Sequence, residues 1–341
     1  MKRYFWHIFV QQCNTSQKMP TMLFFLLCNL FSTASFLAAQ TSPLSRSPQT
    51  SSASISQNAD TTRIDALLWQ ISGNGLTKPS FLFGTIHIIC KNDVVMPSAT
   101  KRSLAASKQL ALEFDLSKVN EKTMMSALDD GVLMRDGITL RSLLDSASYA
   151  MIDRYFIDSV GMSLRLMERF KPMVLSMFLM EASADGACEE TSYEEEFMRL
   201  AKRQGIPVVG VETMQQQLAM FDRIPYKEQA LMLSEEIKSA LNPTPNTVNA
   251  LDLAQITTLY KQGRISELLD AMREETLKAA PQGSQFEEIL LNERNRAWIP
   301  ILETMMRRKP TFIAVGAGHL AGTVGVVSLL RKRGYVLTPL R

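Results

Sequence analysis

Two histidines share one local frame, an apolar run followed by Gly-x-x-His. The first reads Phe81-Leu-Phe-Gly84-Thr-Ile-His87 and the second Phe312-Ile-Ala-Val-Gly316-Ala-Gly-His319. The chain has 3 histidines, and the remaining one, His7, precedes an export-like segment. A residue this scarce, set twice in one frame at opposite ends of the chain, points to a composite site. Neutral imidazole is the commonest ligand for zinc and the late first-row metals, and two imidazoles with one carboxylate leave positions open for water and substrate. Glu113 is the best-placed carboxylate, at the end of the alternating run Gln109–Leu116. His87, His319 and Glu113 are therefore the candidate ligands of a divalent ion such as zinc, manganese or cobalt. Such an ion lowers the pKa of a bound water from about 16 toward about 7. Glu212, which follows the buried-strand run Ile206–Val211, is a candidate base or fourth ligand. Arg294 offers the fixed guanidinium fork that suits a substrate carboxylate or a developing oxyanion. Glu113, Glu212 and Arg294 thus form the catalytic set. Each also has a plainer reading: a lone buried histidine is usually a satisfied core residue, a strand-end acid is often solvated, and Arg294 could lie on an exposed helix face. Asp115 reads as a loop or cap residue.

The elements that must position these groups follow from periodicity and turn chemistry. Ala66–Ile71 and Ser80–Thr85 read as a hairpin across Gly73-Asn74-Gly75 and Lys78-Pro79. Pro97 to Lys108 reads as a helix with proline in its first turn. Leu140 to Ala184 has helical spacing and many methionines. Ser192-x-x-Glu195 opens a helix that closes at Gly205. Helices fill roughly 214–308, broken at Asn242-Pro-Thr-Pro-Asn246. Thr311–Val315 is a strand, Gly322–Arg333 a helix and Tyr335–Leu340 the last strand. The Met-rich segments 163–180 and 214–233 read as adaptable core packing, or as the lining of a groove for an apolar ligand. Strands running into Gly-x-x-His at each end, and into acids in the middle, predict an α+β fold. Two pseudo-symmetric small mixed β-sheets are expected, with their active ends facing each other and helices covering them. Glycine at 84 and 316 is expected to supply the positive φ of a sharp strand exit.

The first stretch lies apart from that core. Lys2, Arg3 and Lys18 precede the apolar run Met22–Phe31 and the small residues up to Ala39, with no acid before Asp60. These are the parts of a secretory signal. Residues 1–39 are expected to be a signal peptide, with a retained membrane anchor as the alternative and Met19 or Met22 as other starts. Residues 40–63, rich in Ser, Thr, Gln and Pro, read as a disordered linker, and 64–341 as the domain. The net charge of +3 equals the three cations of residues 1–39, so the remainder is neutral. A neutral domain has no basic stripe for nucleic acid. An exported, periplasmic or extracellular protein follows, touching membrane only through an uncleaved N-terminal segment. Cys90 and Cys188 remain beyond the signal; in an oxidising compartment they pair as a disulfide, with free thiols or metal ligation as the alternatives.

With these motifs in hand the chain resembles the TraB/PrgY/GumN family. The resemblance rests on the two Gly-x-x-His motifs, Leu112-Glu113-Phe-Asp115, Val209-Gly210-Val-Glu212-Thr213, Arg294-Asn295 and Val315-Gly-Ala-Gly-His319-Leu320-x-Gly322, over about Ile64 to Leu340. Gly-Val-Glu-Thr stands here where leucine usually precedes the acid. The family is similar to the Tiki proteins, divalent-metal-dependent proteases acting on secreted signals, and its fold resembles erythromycin esterase and ChaN-like proteins. The resemblance implies His87, His319 and Glu113 as the core site. The expected function is an exported metal-dependent hydrolase of the metallopeptidase kind acting on a peptide or other small substrate. It would use a scaffold other than the His-Glu-x-x-His helix, which the sequence lacks. The alternatives are a non-catalytic protein that sequesters a peptide or small, pheromone-like ligand, and a tetrapyrrole binder.

Overall fold

A computed structural model of the chain describes residues 65–115, 118, 131–184, 188–242, 253–279 and 284–340. The expected signal and linker, 1–39 and 40–63, lie outside the described residues, as does most of the break after Asn242.

The longest apolar runs make the centre of a mixed sheet. Strands β2 (Ser80–Thr85), β4 (Gln109–Phe114) and β7 (Thr311–Gly316) are buried at every position. A strand apolar on both faces needs neighbours on both edges and layers above and below. The sheet satisfies this with the order β6-β4-β7-β2-β1-β8, where β1 is Leu68–Gly73, β6 Val208–Glu212 and β8 Tyr335–Leu340. β6, β4, β7 and β2 are mutually parallel; β1 runs antiparallel to both β2 and β8. The β1–β2 turn takes positive φ at Gly73 (78°), Asn74 (43°) and Gly75 (78°), as its sequence predicts.

The protein is α+β with two sheets. The second is the two-stranded pair of β3 (Ile89–Cys90) and β5 (Glu190–Thr191). The four strands that carry site residues lie side by side in the large sheet, rather than in two sheets opposed across a gap. Parallel pairing brings their carboxyl ends to one edge, with Thr85 abreast of Gly316 and Phe114 abreast of Glu212.

Helices cover this sheet and extend past its carboxyl edge. One core packs the sheet against α1 (Ser98–Ala106), α4 (Tyr193–Gln204), α7 (Leu253–Lys261), α8 (Ile265–Ala279), α9 (Glu293–Arg308) and α10 (Val326–Lys332). A second core joins α2 (Ser146–Val160), α3 (Pro172–Ala184), α5 (Met214–Met220) and α6 (Tyr226–Leu241) to Phe114, the last residue of β4. The seam between the cores therefore falls at the residue next to Glu113. Met167, Met173, Met177, Met214 and Met220 are buried in the second core, so these methionines of the Met-rich segments pack rather than line an open groove.

Glu236 on α6 is a half-buried acid bonded to Ser176 of α3, and desolvation raises its carboxyl to about 7. A carboxyl raised from 4.5 in the unfolded chain to about 7 in the fold removes stability as pH rises through that interval. Glu236→Gln should therefore match the parent in urea denaturation at pH 4.5. It should exceed the parent by about 1–2 kcal/mol at pH 8, a figure discounted for partial exposure.

Cys90 and Cys188, 98 positions apart in sequence, form a disulfide with Cα atoms 5.6 Å apart. It ties β3, just after His87, to the segment entering β5 and α4. Closing so long a loop stabilises by roughly 4–5 kcal/mol in the chain-entropy account. Cys90→Ser with Cys188→Ser should lower stability by about that amount, read as a shift in denaturant midpoint that reductant reproduces in the parent.

Candidate metal centre

All four parallel strands deliver a functional side chain at the shared carboxyl edge. Glu113 is the penultimate residue of β4. Its Oε1 accepts the Gly316 backbone N–H at 2.8 Å, and its Oε2 accepts from Gln217 Nε2 at 3.1 Å and Arg294 Nη2 at 2.5 Å. Burial would raise this carboxyl, but the Arg294 guanidinium and the Gly316 N–H hold it well below the usual carboxylate range. It is anionic, as a ligand must be.

His319 sits in the short helical turn after β7 and is fully buried. Its Nδ1 is 2.7 Å from Asn295 Oδ1, its Nε2 is 3.1 Å from Arg294 Nη1, and its ring lies 4.4 Å from that of Trp298. Burial, then the Arg294 charge, pushes its pKa well below the ordinary histidine value, so it is a neutral imidazole. His87, in the loop between β2 and β3, places Nδ1 2.9 Å from Glu194 Oε1.

Gly316 shows where these groups meet. A Cβ built there would lie 3.2 Å from His87 Nε2, 3.3 Å from Glu113 Oε1 and 3.6 Å from His319 Cδ2. The glycine leaves a small cradle faced by the three groups. Its φ is −49°, so the requirement for glycine is space rather than the positive φ expected from the sequence. Gly84 follows the same rule: a Cβ there would meet Leu320 Cδ2 at 2.9 Å and Ala317 Cα at 3.1 Å. Its missing side chain lets the His319 turn lie directly on β2.

Glu212 and Arg294 stand beside the cradle. Arg294 is buried on α9, two residues after a π turn at Glu288–Asn292 whose wider winding resets the helix register. Its Nε bonds Glu212 Oε1 at 3.0 Å, its Nη2 bonds both Glu212 and Glu113, and its Nη1 donates to Leu290 O at 3.1 Å. Glu212 also accepts from Gln217 Nε2 at 2.7 Å and Trp298 Nε1 at 3.0 Å. The fold thus brings together all five residues named from the sequence. Arg294 is not on an exposed helix face. Asp115 points elsewhere, with Lys118 Nζ at 2.9 Å.

Sequence reasoning missed Gln217, Trp298 and Glu194, and gave Asn295 no role. Gln217 and Trp298 carry no pattern that separates them from ordinary helix residues. Glu194 sits in a run of three acids in the first turn of α4, where the helix dipole alone accounts for acids.

Among the described residues, no three His, Cys, Asp or Glu side chains are drawn up to metal-ligand spacing. His319 Nε2 and Glu113 Oε1 are 3.7 Å apart, and the Arg294 guanidinium bonds both residues. The donor set nevertheless suits a divalent ion: two imidazoles and one anionic oxygen around a cradle that a single Cβ would fill. An oxygen acceptor behind each Nδ1 is the outer-shell arrangement that metal-binding histidines use.

A model of the TraB/PrgY/gumN family matches residues 67–339. The chain belongs to this family. Curated relatives include "Metalloprotease TIKI2" of Danio rerio, 23% identical over 315 residues, covering 80% of this chain and 60% of that protein. "Metalloprotease TIKI homolog" of Amphimedon queenslandica is 23% identical over 317 residues, covering 80% and 61%. "Metalloprotease TIKI1" of Homo sapiens is 22% identical over 320 residues, covering 80% and 61%. The alignments thus take in about three fifths of each relative's length. No solved structure gives a significant match. No helix of the described residues is long and apolar enough to cross a membrane.

Proposed function

We propose that this protein is an exported metal-dependent hydrolase that cleaves peptides. The observation that carries the reading is the convergence of His87 Nε2, His319 and Glu113 Oε1 on the cradle at Gly316. Relatives named as metalloproteases support it. His87, His319 and Glu113 would hold a divalent ion, with zinc, manganese and cobalt all compatible with a donor set of nitrogen and oxygen. Such an ion supplies Lewis acidity to the site.

The chain's own groups divide the remaining work. Glu113, held anionic, contributes ligand charge. Arg294 has its donors on Glu113, Glu212, Leu290 O and His319, so it would steady negative charge developing on a substrate carbonyl oxygen through its fixed positive charge rather than by a free N–H. Glu212 anchors Arg294 through two bonds; any proton it accepts must displace one of the donors from Arg294, Gln217 or Trp298. The buried site excludes bulk water, so each of these charges acts at low dielectric.

The test is elemental analysis of the purified protein together with hydrolysis of a peptide library, with and without chelator. Bound metal and chelator-sensitive cleavage that His319→Ala abolishes support the reading. Tight peptide binding without cleavage, unchanged by chelator and by His319→Ala, replaces it with a sequestering protein.

A further inference from the structure

We infer that Glu194 and Asn295 are positioning residues. Each holds one imidazole in the Nδ1–H form and so leaves an unprotonated Nε2 at the site beside Gly316. The purpose rests on the metal reading above; the His319 tautomer stands on its hydrogen bonds and the His87 tautomer on the close approach of Nδ1 to a carboxylate.

For His319 the assignment is reached from both sides. Asn295 Nδ2 donates to Val324 O at 3.0 Å, which fixes the amide and leaves Oδ1, an acceptor, 2.7 Å from His319 Nδ1. Nδ1 therefore carries the hydrogen. On the other side, Arg294 Nη1 lies 3.1 Å from Nε2, and a guanidinium only donates. Nε2 therefore carries the lone pair. Asn295 is 1% exposed in the interior of α9. A buried amide is costly unless its hydrogen bonds are made, and these two bonds are the ones it makes.

For His87 the partner is a carboxylate. Glu194 Oε1, 2.9 Å from Nδ1, can only accept. Glu194 is 3% exposed in the first turn of α4, where Ser192 Oγ caps the Glu195 N–H at 3.1 Å. Three ties hold that turn against the His87 loop. Ile89 pairs with Thr191, the Tyr193 N–H donates to Ile86 O at 3.4 Å, and the Cys90–Cys188 disulfide closes the far side. The helix N-terminus favours the anion, and the loop is pinned so that one ring nitrogen meets it while the other faces Gly316.

The two partners differ in charge for a reason visible at the site. His319 lies beside Arg294, whose guanidinium already balances Glu113 and Glu212. A carboxylate at 295 would compete for that guanidinium, whereas a neutral amide orients the ring without drawing on it. At His87 the orienting group is the Glu194 carboxylate.

The full chain has 3 histidines, so 15N-histidine NMR resolves them one by one, with His7→Gln identifying the third. In chelator at pH 8, both His87 and His319 are expected as Nδ1–H tautomers. Glu194→Ala should convert His87 alone to a tautomer mixture, and Asn295→Ala should do the same to His319 alone. Glu194→Gln, which keeps an acceptor oxygen, should restore the His87 tautomer. Zinc affinity by chelator competition should fall about 10–100-fold in each alanine variant. An Nε2–H tautomer at either histidine in the parent protein overturns the inference without any variant having to fold. So do tautomers that the alanine changes leave intact. Correct tautomers in a protein that binds no metal would leave the positioning role standing and remove the metal reading.

Discussion

Arg294→Ala is expected to cost the metal-free protein about 3–5 kcal/mol of stability at pH 7, the usual loss when one partner of a buried ion pair is removed. The guanidinium bonds Glu113 and Glu212 at once, and all three groups are buried or nearly so. Removing it leaves two carboxylates facing each other across a dry gap, still bridged by Gln217. The loss should be greatest above pH 4.5 and shrink as the pH falls. The folded-state pKa of Glu113 lies below its unfolded value of 4.5. Stability from its ionised form is therefore fully present above that value, and goes as acid protonates the group in the fold. A divalent ion should restore part of the loss, because it supplies positive charge to the same carboxylate. At a free metal concentration of about 100 times Kd, binding returns about 2.7 kcal/mol. Urea denaturation of parent and variant, with chelator and with zinc, measures all of this. A variant within about 1 kcal/mol of the parent in chelator would show that Arg294 is not the counter-ion of the cluster. A variant that zinc stabilises no better than it stabilises the parent would separate Arg294 from the metal position.

The same cluster shows what a sequence can and cannot disclose. His87, His319, Glu113 and Glu212 were legible because each ends an apolar strand run, and strand ends of parallel neighbours share an edge. Arg294 was legible only as a chemical type, since nothing in the periodicity of residues 287–308 shows which helical face is buried; the π turn at Glu288–Asn292 sets that face. The α+β class with two sheets was legible, whereas the similar motifs at the two ends do not tell which strands share the larger sheet. β2, β4 and β7 are instead each apolar throughout, a pattern that places them together in the middle of one sheet. The two-residue strands β3 and β5 are too short for any alternation to register. Yet they, with the disulfide, place Glu194 behind His87. The reason for glycine at 84 and 316 was also misread. Positive φ is a local property that sequence suggests readily, whereas close approach of another segment is visible only once the chain is folded.

Gly316→Ala is expected to abolish the site while leaving the fold in place. Its backbone, with φ −49° and ψ 137°, accepts alanine without strain, so no conformational penalty attaches to the change. The new methyl would stand 3.2 Å from His87 Nε2 and 3.3 Å from Glu113 Oε1. Both neighbours must give by a few tenths of an ångström, and the methyl fills the place they face. Metal ligation tolerates about 0.2 Å of misplacement, so zinc affinity should drop by about 100-fold or more and peptide hydrolysis should fall with it. The denaturant midpoint in chelator should move by the equivalent of about 1 kcal/mol or less, since side chains at the seam can shift into the adjoining space. Gly318→Ala is the control, two residues along in the same turn. A Cβ there meets nothing closer than Leu291 Cδ2 at 3.8 Å, an ordinary contact, and that variant should keep both metal and activity. Isothermal titration with zinc on the three proteins decides the matter. If Gly316→Ala binds zinc as the parent does, the ion does not sit where His87, His319 and Glu113 converge, and the two Gly-x-x-His motifs must serve the packing of β2 against the His319 turn instead.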